Sequence, residues 1–161
     1  MTVLTEVQTR HNDLGAEFTM LLNAAGYIPA DHDQPNYFPV ALKPAYDEHR
    51  DIIPGIQRVV RTDTNQTLKT HTDSYSLIPY EESFTNFNNE LNSSGLDLTE
   101  MHVNTDLTHD GGRIFRQYVL PAHSLQVGDE WLALRIIMFN SYDGSCSFRG
   151  MAGAYQFVCA N

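Results

Sequence analysis

The chain has 161 residues, 42% of them hydrophobic and 19% charged, which is typical of one globular domain and not of a fibrous or disordered protein. Its net charge of −10 at pH 7 argues against nonspecific binding to duplex DNA, because such binding depends on cations that neutralise phosphates. No apolar run approaches the ~20 residues of a membrane-spanning helix, and no signal-peptide pattern opens the sequence, so we expect a cytoplasmic protein without membrane contact.

The N-terminal part divides into an amphipathic helix and a proline-rich connection. Apolar side chains recur with a period near that of a helix over residues 3–25, and Gly26 is a plausible stop. Residues 27–56 contain five of the seven prolines, which is typical of an irregular connection. We therefore expect residues 1–55 to form a helix and a connection, distinct from a core over residues 56–161.

The pattern changes after residue 56 to strands that flank one helix. Residues 80–91 place Phe84, Phe87 and Leu91 on one apolar stripe, which predicts a helix. Strands are predicted over residues 57–62, 67–77, 100–107, 113–120, 130–139 and 148–160. The expected fold class is α+β: an antiparallel sheet of about five to six strands with two main helices, one N-terminal and one after the first hairpin.

Residues 130–139 form the longest apolar strand of the prediction. Successive side chains of a strand point to opposite faces of the sheet. We therefore expect Leu132, Leu134, Ile136 and Met138 to point into the core and Arg135 to point away from it.

A dense set of short polar side chains follows this strand around Asp143-Gly144, a dipeptide that favours a hairpin turn. The set comprises Asn140, Ser141, Asp143 and Ser145. We expect these side chains to serve mainly as hydrogen-bond partners of the turn backbone; the alternative is that they form a binding site.

No pattern in the sequence names a reaction. The seven histidines lack the spacing of a zinc site, and the nucleophile-elbow pattern Gly-x-Ser-x-Gly is absent. We therefore assign no catalytic residue, no metal ligand and no cofactor, although an enzyme stays open as a third hypothesis. Cys146 and Cys159 are expected to be buried thiols in neighbouring strands.

Arginines share a strand face with aromatic residues on predicted strands, as Arg116 does with Tyr118 and Arg135 with Trp131. Such a face can bind single-stranded nucleic acid by stacking bases and contacting phosphates. The ordinary alternative is that these arginines line the solvated face of a one-sided antiparallel sheet. The candidate nucleic-acid-binding residues are Arg58, Arg61, Arg113, Arg116, Arg135, Arg149, Tyr118 and Trp131.

Three groups of segments together resemble a family from phage and plasmid genomes that is known as domain of unknown function 932. The segments are 61–63, 72–75 and 80–84; 110–115; and 140–145 with 158–161. The resemblance spans roughly residues 56–161 and implies a phage or plasmid setting, with no established reaction. Members of the family usually continue beyond the position of Asn161, which implies a short member or a truncated chain.

Two classes of function are therefore expected, and an enzyme is less favoured than either. The first is a non-enzymatic phage or plasmid accessory protein that binds single-stranded nucleic acid in replication or recombination. The second is an acidic interaction protein that binds or inhibits a host or phage protein, by mimicry of DNA for example. The oligomeric state is not predicted.

Overall fold

The computed structural model describes residues 16–157, apart from the side chain of His109. Helix α1 covers residues 16–24, helix α2 covers Tyr80–Ser93, and short 3-10 turns cover Ala30–His32 and His109–Gly111. Eight strands complete this part of the chain: β1 Ile28–Pro29, β2 Val40–Tyr46, β3 Ile52–Arg61, β4 Thr67–Thr72, β5 His102–Thr108, β6 Arg113–Val127, β7 Glu130–Ser141 and β8 Arg149–Phe157.

The strands form two antiparallel sheets. A five-stranded sheet has the order β1-β5-β6-β7-β8, and a three-stranded sheet has the order β2-β3-β4. The long hairpin of β6 and β7 is the centre of the larger sheet, with Phe115 opposite Phe139 and Leu120 opposite Leu134. Between Leu120 and Ser124 the register shifts, so the far end of this hairpin is offset by a bulge.

The expectation of an α+β fold is confirmed in its coarse form, but the expected sheet of five to six strands is too small. Eight strands in two sheets dominate the described chain. The predicted helix over residues 80–91 corresponds to α2. Of the helix predicted over residues 3–25, only the C-terminal part lies within the described residues, and residues 158–161 with Cys159 lie outside them.

The proline-rich stretch is not the irregular connection that its composition predicts. It contains β1, β2 and the beginning of β3, and the expected boundary at residue 55 lies inside β3. Pro44 is tolerated because β2 is an edge strand. Pro54 precedes Ile56, where the pairing of β3 with β4 begins, so no ladder bond to β4 is lost.

Side-chain alternation gives the five-stranded sheet an inner and an outer face. The inner face packs against α2 and the three-stranded sheet and carries Ile114, Tyr118 and Leu120. The core there combines Phe84 of α2 with Val59 of β3, and each is 0% exposed. Burying side chains of this size contributes about 1.5–3 kcal/mol each.

Helix α1 covers one end of the outer face. Phe18 stacks on Phe157 with ring centroids 4.1 Å apart, and Leu22 packs in the same cluster as Val119. The helix ends just before Gly26, as the sequence predicts. Gly26 has φ +85°, and the Tyr27 amide donates to the Leu22 carbonyl at 2.9 Å.

Strand β7 alternates as its sequence predicts. Leu134, Ile136 and Met138 pack against the inner core, whereas Arg135 contacts Gln117 and Tyr155 on the outer face. Leu132 is half-buried and is not part of that core cluster.

Replacing Gly111 by Ala should destabilise the fold more than replacing Gly95 by Ala. Both glycines have positive φ, +89° and +79°, so each change strains the backbone by about 1–2 kcal/mol. A Cβ on Gly111 would also lie 2.5 Å from the Phe38 ring, whereas one on Gly95 meets nothing within 4 Å. We expect urea unfolding to show an additional loss of about 1–3 kcal/mol for Gly111→Ala. Equal losses would show that Phe38 moves aside without cost.

Candidate nucleic-acid interface

The two sheets separate the six candidate arginines into three groups. Arg58 and Arg61 lie on β3 of the three-stranded sheet. On the five-stranded sheet, alternation sends Arg116 to the inner face; the outer face carries Arg113, Arg135 and Arg149. The candidate set therefore does not converge on one surface, although Trp131 shares the outer face with the last group.

Arg116 is a core residue and not part of an exposed surface. It is 3% exposed, and Nη2 pairs with Asp33. Its Nε donates to the Tyr118 hydroxyl and its Nη1 to Thr105 Oγ1, each at 2.7 Å. The sequence could not show this, because Asp33 lies 83 positions away.

Tyr118 is buried together with Arg116 and cannot stack a base. Its ring is 1% exposed, and its hydroxyl donates to Asn88 Oδ1 of α2 at 2.8 Å. Burial raises the pKa of Tyr118 to about 12, although Arg116 acts in the opposite direction. The phenol therefore remains a neutral hydrogen-bond donor that ties β6 to α2.

Two further arginines are neutralised by carboxylates of turns: Asp63 in the β3–β4 turn and Asp143 in the β7–β8 connection. Arg61 donates through Nε and Nη2 to Asp63, at 3.1 and 2.7 Å, and its guanidinium lies over the Phe38 ring. Arg113 donates to Asp143 at 2.7 Å. Arg58, by contrast, donates to the Pro44 carbonyl and to Thr67 Oγ1, neither of which is charged.

The outer face presents an aromatic pair beside an exposed arginine. Phe115, Phe139 and Arg149 lie directly opposite one another across β6, β7 and β8. The two rings meet edge to face with centroids 5.1 Å apart, and the Arg149 guanidinium lies 5.5 Å from the Phe139 centroid. Ile137 and Met151 form the next row. We call these five residues the aromatic patch.

The aromatic patch is open where α1 does not reach. Met151 is 54% exposed, Arg149 is exposed, and Phe115, Ile137 and Phe139 are half-buried. At the other end of the face, Trp131 packs edge to face on Phe18 of α1. Neither Phe115 nor Phe139 was singled out from the sequence, because their proximity depends on strand register.

The side chains of Asn140, Ser141, Asp143 and Ser145, which we call the polar turn, mainly form hydrogen bonds with the backbone. Asn140 donates to the Ile78 carbonyl at 3.2 Å, and Ser141 Oγ bonds both the amide and the carbonyl of Cys146. Asp143 accepts the Ser145 amide at 2.8 Å. These bonds close the connection between β7 and β8 without leaving a cluster of free polar atoms for a ligand.

A cleft of about 490 Å³ lies beside the inner face, between α2 and the segment that follows β1. Its lining includes Asp33, Tyr37, Glu81, Phe84 and Arg116. Burial raises the pKa of Tyr37 to about 12, partly offset by Arg116, so its phenol is not a base near neutral pH.

Within residues 16–157, no group of three His, Cys, Asp or Glu side chains could hold a metal ion. No helix of that part is long and apolar enough to cross a membrane.

Residues 67–161 match the family described as Domain of unknown function (DUF932), and because the match covers more than half of the chain, the chain belongs to this family. No curated protein and no solved structure matches the chain. The family match covers the polar turn and the aromatic patch, and it begins at the first residue of β4.

Separating Asp33 from Arg116 should cost far more stability than removing both charges. Asp33→Leu leaves a buried guanidinium without a counter-charge and Arg116→Met leaves a buried carboxylate without one, and each single change typically costs about 3–5 kcal/mol. The double change Asp33→Leu with Arg116→Met removes both charges and should cost less than the two single changes together. Urea unfolding of all three variants checks this. An additive cycle would show that the two side chains are not coupled.

The Asp143 carboxylate should make the fold sensitive to acid. Partial burial tends to raise its pKa, but hydrogen bonds from Ser145 and the Arg113 guanidinium outweigh burial and hold the pKa at about 2. Because this lies below the unfolded value of about 3.9, the stabilisation is present above pH 4 and is lost between about pH 4 and pH 2. We expect about 1 kcal/mol, since Arg113 is partly solvated. Asp143→Asn should make the free energy of unfolding less dependent on pH between about pH 4 and pH 2. An unchanged pH dependence would show that the Asp143 carboxylate is not the group that causes it.

Proposed function

We propose that the aromatic patch binds single-stranded nucleic acid and that the protein is a non-enzymatic accessory protein of phage or plasmid replication or recombination. The observation that carries the proposal is the opposed row Phe115, Phe139 and Arg149 on an open sheet face. Single-strand binders combine aromatic side chains, on which bases of any sequence stack, with cations that contact the backbone.

The charges around the patch favour one orientation of a bound single strand. Arg149 is a cation whose described contact is the Phe139 ring, so its guanidinium has N–H groups available for a phosphate. Asp106 lies at the opposite end of the same row, directly across from Phe115. We therefore expect the sugar-phosphate backbone of a bound strand to lie near Arg149 on β8. Its bases would lie over the rings of Phe115 and Phe139, and its phosphates away from the Asp106 carboxylate.

Phe139→Leu should weaken binding of a labelled oligothymidylate by about 5- to 150-fold, since stacking contributes about 1–3 kcal/mol per base. The leucine retains apolar volume but removes the ring, and Phe139→Tyr, which retains the ring, should bind nearly as the wild type does. Fluorescence anisotropy at low salt measures both affinities, and circular dichroism checks that the variants are folded.

An abasic oligonucleotide of equal length separates stacking from charge. It carries the same phosphates, so stacking predicts clearly weaker binding than to oligothymidylate. Arg149→Gln should weaken binding and lower the salt slope by about 0.7–1, while Arg50→Gln, an equal charge change in the β2–β3 turn, should not. Asp106→Asn should strengthen binding. A folded wild type that binds no single strand at low salt would refute the proposal and favour an acidic protein that binds another protein.

A further inference from the structure

The three strands of the smaller sheet concentrate cations in an acidic protein. β2, β3 and β4 together carry Lys43, Arg58, Arg61 and Lys69 and contain no Asp or Glu. The chain as a whole has twice as many acidic as basic residues and a net charge of −10. Its only two lysines both lie in this sheet.

Strand alternation places two of these cations on the face that points away from the core. Leu42 and Val59, which are opposite each other, pack on the core side. The next pair, Lys43 and Arg58, therefore lies on the other face, and Thr70 of β4 continues the same row opposite Arg58. We call the row Lys43, Arg58 and Thr70 the basic face.

The cations of the basic face are held by neutral groups. Lys43 Nζ donates to Asn65 Oδ1 at 3.1 Å. Arg58 uses Nε and Nη1 for Pro44 and Thr67, and its guanidinium lies 5.9 Å from the Tyr46 ring. None of the ion pairs between described residues includes Lys43, Arg58 or Lys69. Their positive charge is therefore not cancelled locally, in contrast with that of Arg61.

The carboxylates near this sheet lie in its two hairpin turns and just after β4, where the Asp73 amide donates to the Gly55 carbonyl, and none belongs to the row. Asp47 accepts the amides of His49 and Asp51 in the β2–β3 turn, and Glu48 lies beside His49. Asp63, in the β3–β4 turn, is bound to Arg61. The positive band thus runs across the middle of the sheet and is bounded by acidic turns.

We propose that the basic face binds the phosphate backbone of duplex nucleic acid, as a second site independent of the aromatic patch. Fixed cations without carboxylate partners complement a polyanion, and the unused N–H groups of Arg58 with the adjacent Thr70 hydroxyl suit phosphate oxygens. One half-exposed ring, that of Tyr46, lies beside Arg58, but the row Lys43, Arg58 and Thr70 contains no aromatic pair like that of Phe115 and Phe139, so its binding depends mainly on charge density. That density is higher in duplex than in single strands, which makes duplex the preferred ligand.

The test uses a labelled 20-base-pair duplex at low and at physiological salt with the double variant Lys43→Gln, Arg58→Gln. Losing two phosphate contacts should lower the slope of log affinity against log salt by about 1.8. The charge-preserving variant Arg58→Lys should retain most of the slope, and Arg50→Gln should leave it unchanged. Thermal unfolding verifies that each variant is folded.

Two cross-measurements keep this proposal separate from the single-strand proposal. Lys43→Gln, Arg58→Gln should leave oligothymidylate binding unchanged, and Phe139→Leu should leave duplex binding unchanged. A folded wild type without duplex binding at low salt, or duplex binding that is indifferent to Lys43→Gln, Arg58→Gln, would overturn the second site whatever the aromatic patch does. If Phe139→Leu loses single-strand binding but keeps duplex binding, the proposal of a second site on the basic face stands.

Discussion

Side-chain alternation along β6 is the constraint on which the rest of the structure depends. Ile114, Arg116 and Tyr118 point to the inner face, and Phe115 and Gln117, which lie between them, point to the outer face. A register shift of one residue would turn Phe115 and Gln117 toward α2. It would also expose Arg116, which is now buried and paired with Asp33. The Arg116–Asp33 pair reinforces this register, because a buried guanidinium tolerates only the position in which its carboxylate and hydroxyl partners are present.

A stacked tyrosine pair joins the segments that carry the family resemblance. The rings of Tyr80 and Tyr142 lie 3.8 Å apart, the Tyr142 hydroxyl accepts the Tyr80 amide, and the Tyr80 hydroxyl donates to the Gly111 carbonyl. His71 donates from Nε2 to the Tyr142 carbonyl at 2.7 Å, since a carbonyl can only accept. Segments that are distant in the sequence thus meet around one buried pair, which gives their order and spacing a structural reason. Burial raises the pKa of both tyrosines, so both phenols remain neutral.

Local sequence patterns predicted α2 and most strands after residue 56, whereas the arrangement of the candidate site depends on pairing between distant strands. The apolar stripe of α2 and the alternation of β7 depend on near neighbours, and both were predictable. The strand at Pro44 was not, because only its place at a sheet edge makes that proline acceptable. The aromatic pair of Phe115 and Phe139 likewise required the register of β6 and β7, and no periodicity within either strand reveals which residue of the other lies opposite.

The distribution of ion pairs explains how an acidic chain can present cationic surfaces. Arg61, Arg113 and Arg116 are each paired with a carboxylate, so they add no free positive charge. Cations held by neutral or aromatic partners occur in both sheets: Arg135 and Arg149 lie on the outer face of the larger sheet, and Arg58 and Lys43 lie on the basic face. Screening acts on the two surfaces differently. Stacking on rings persists as salt rises, whereas the attraction of a row of cations for phosphates weakens with salt and is largely screened beyond a Debye length of about 8 Å at physiological salt. If both proposed sites bind nucleic acid, the aromatic patch should retain its ligand at salt concentrations at which the basic face releases its own.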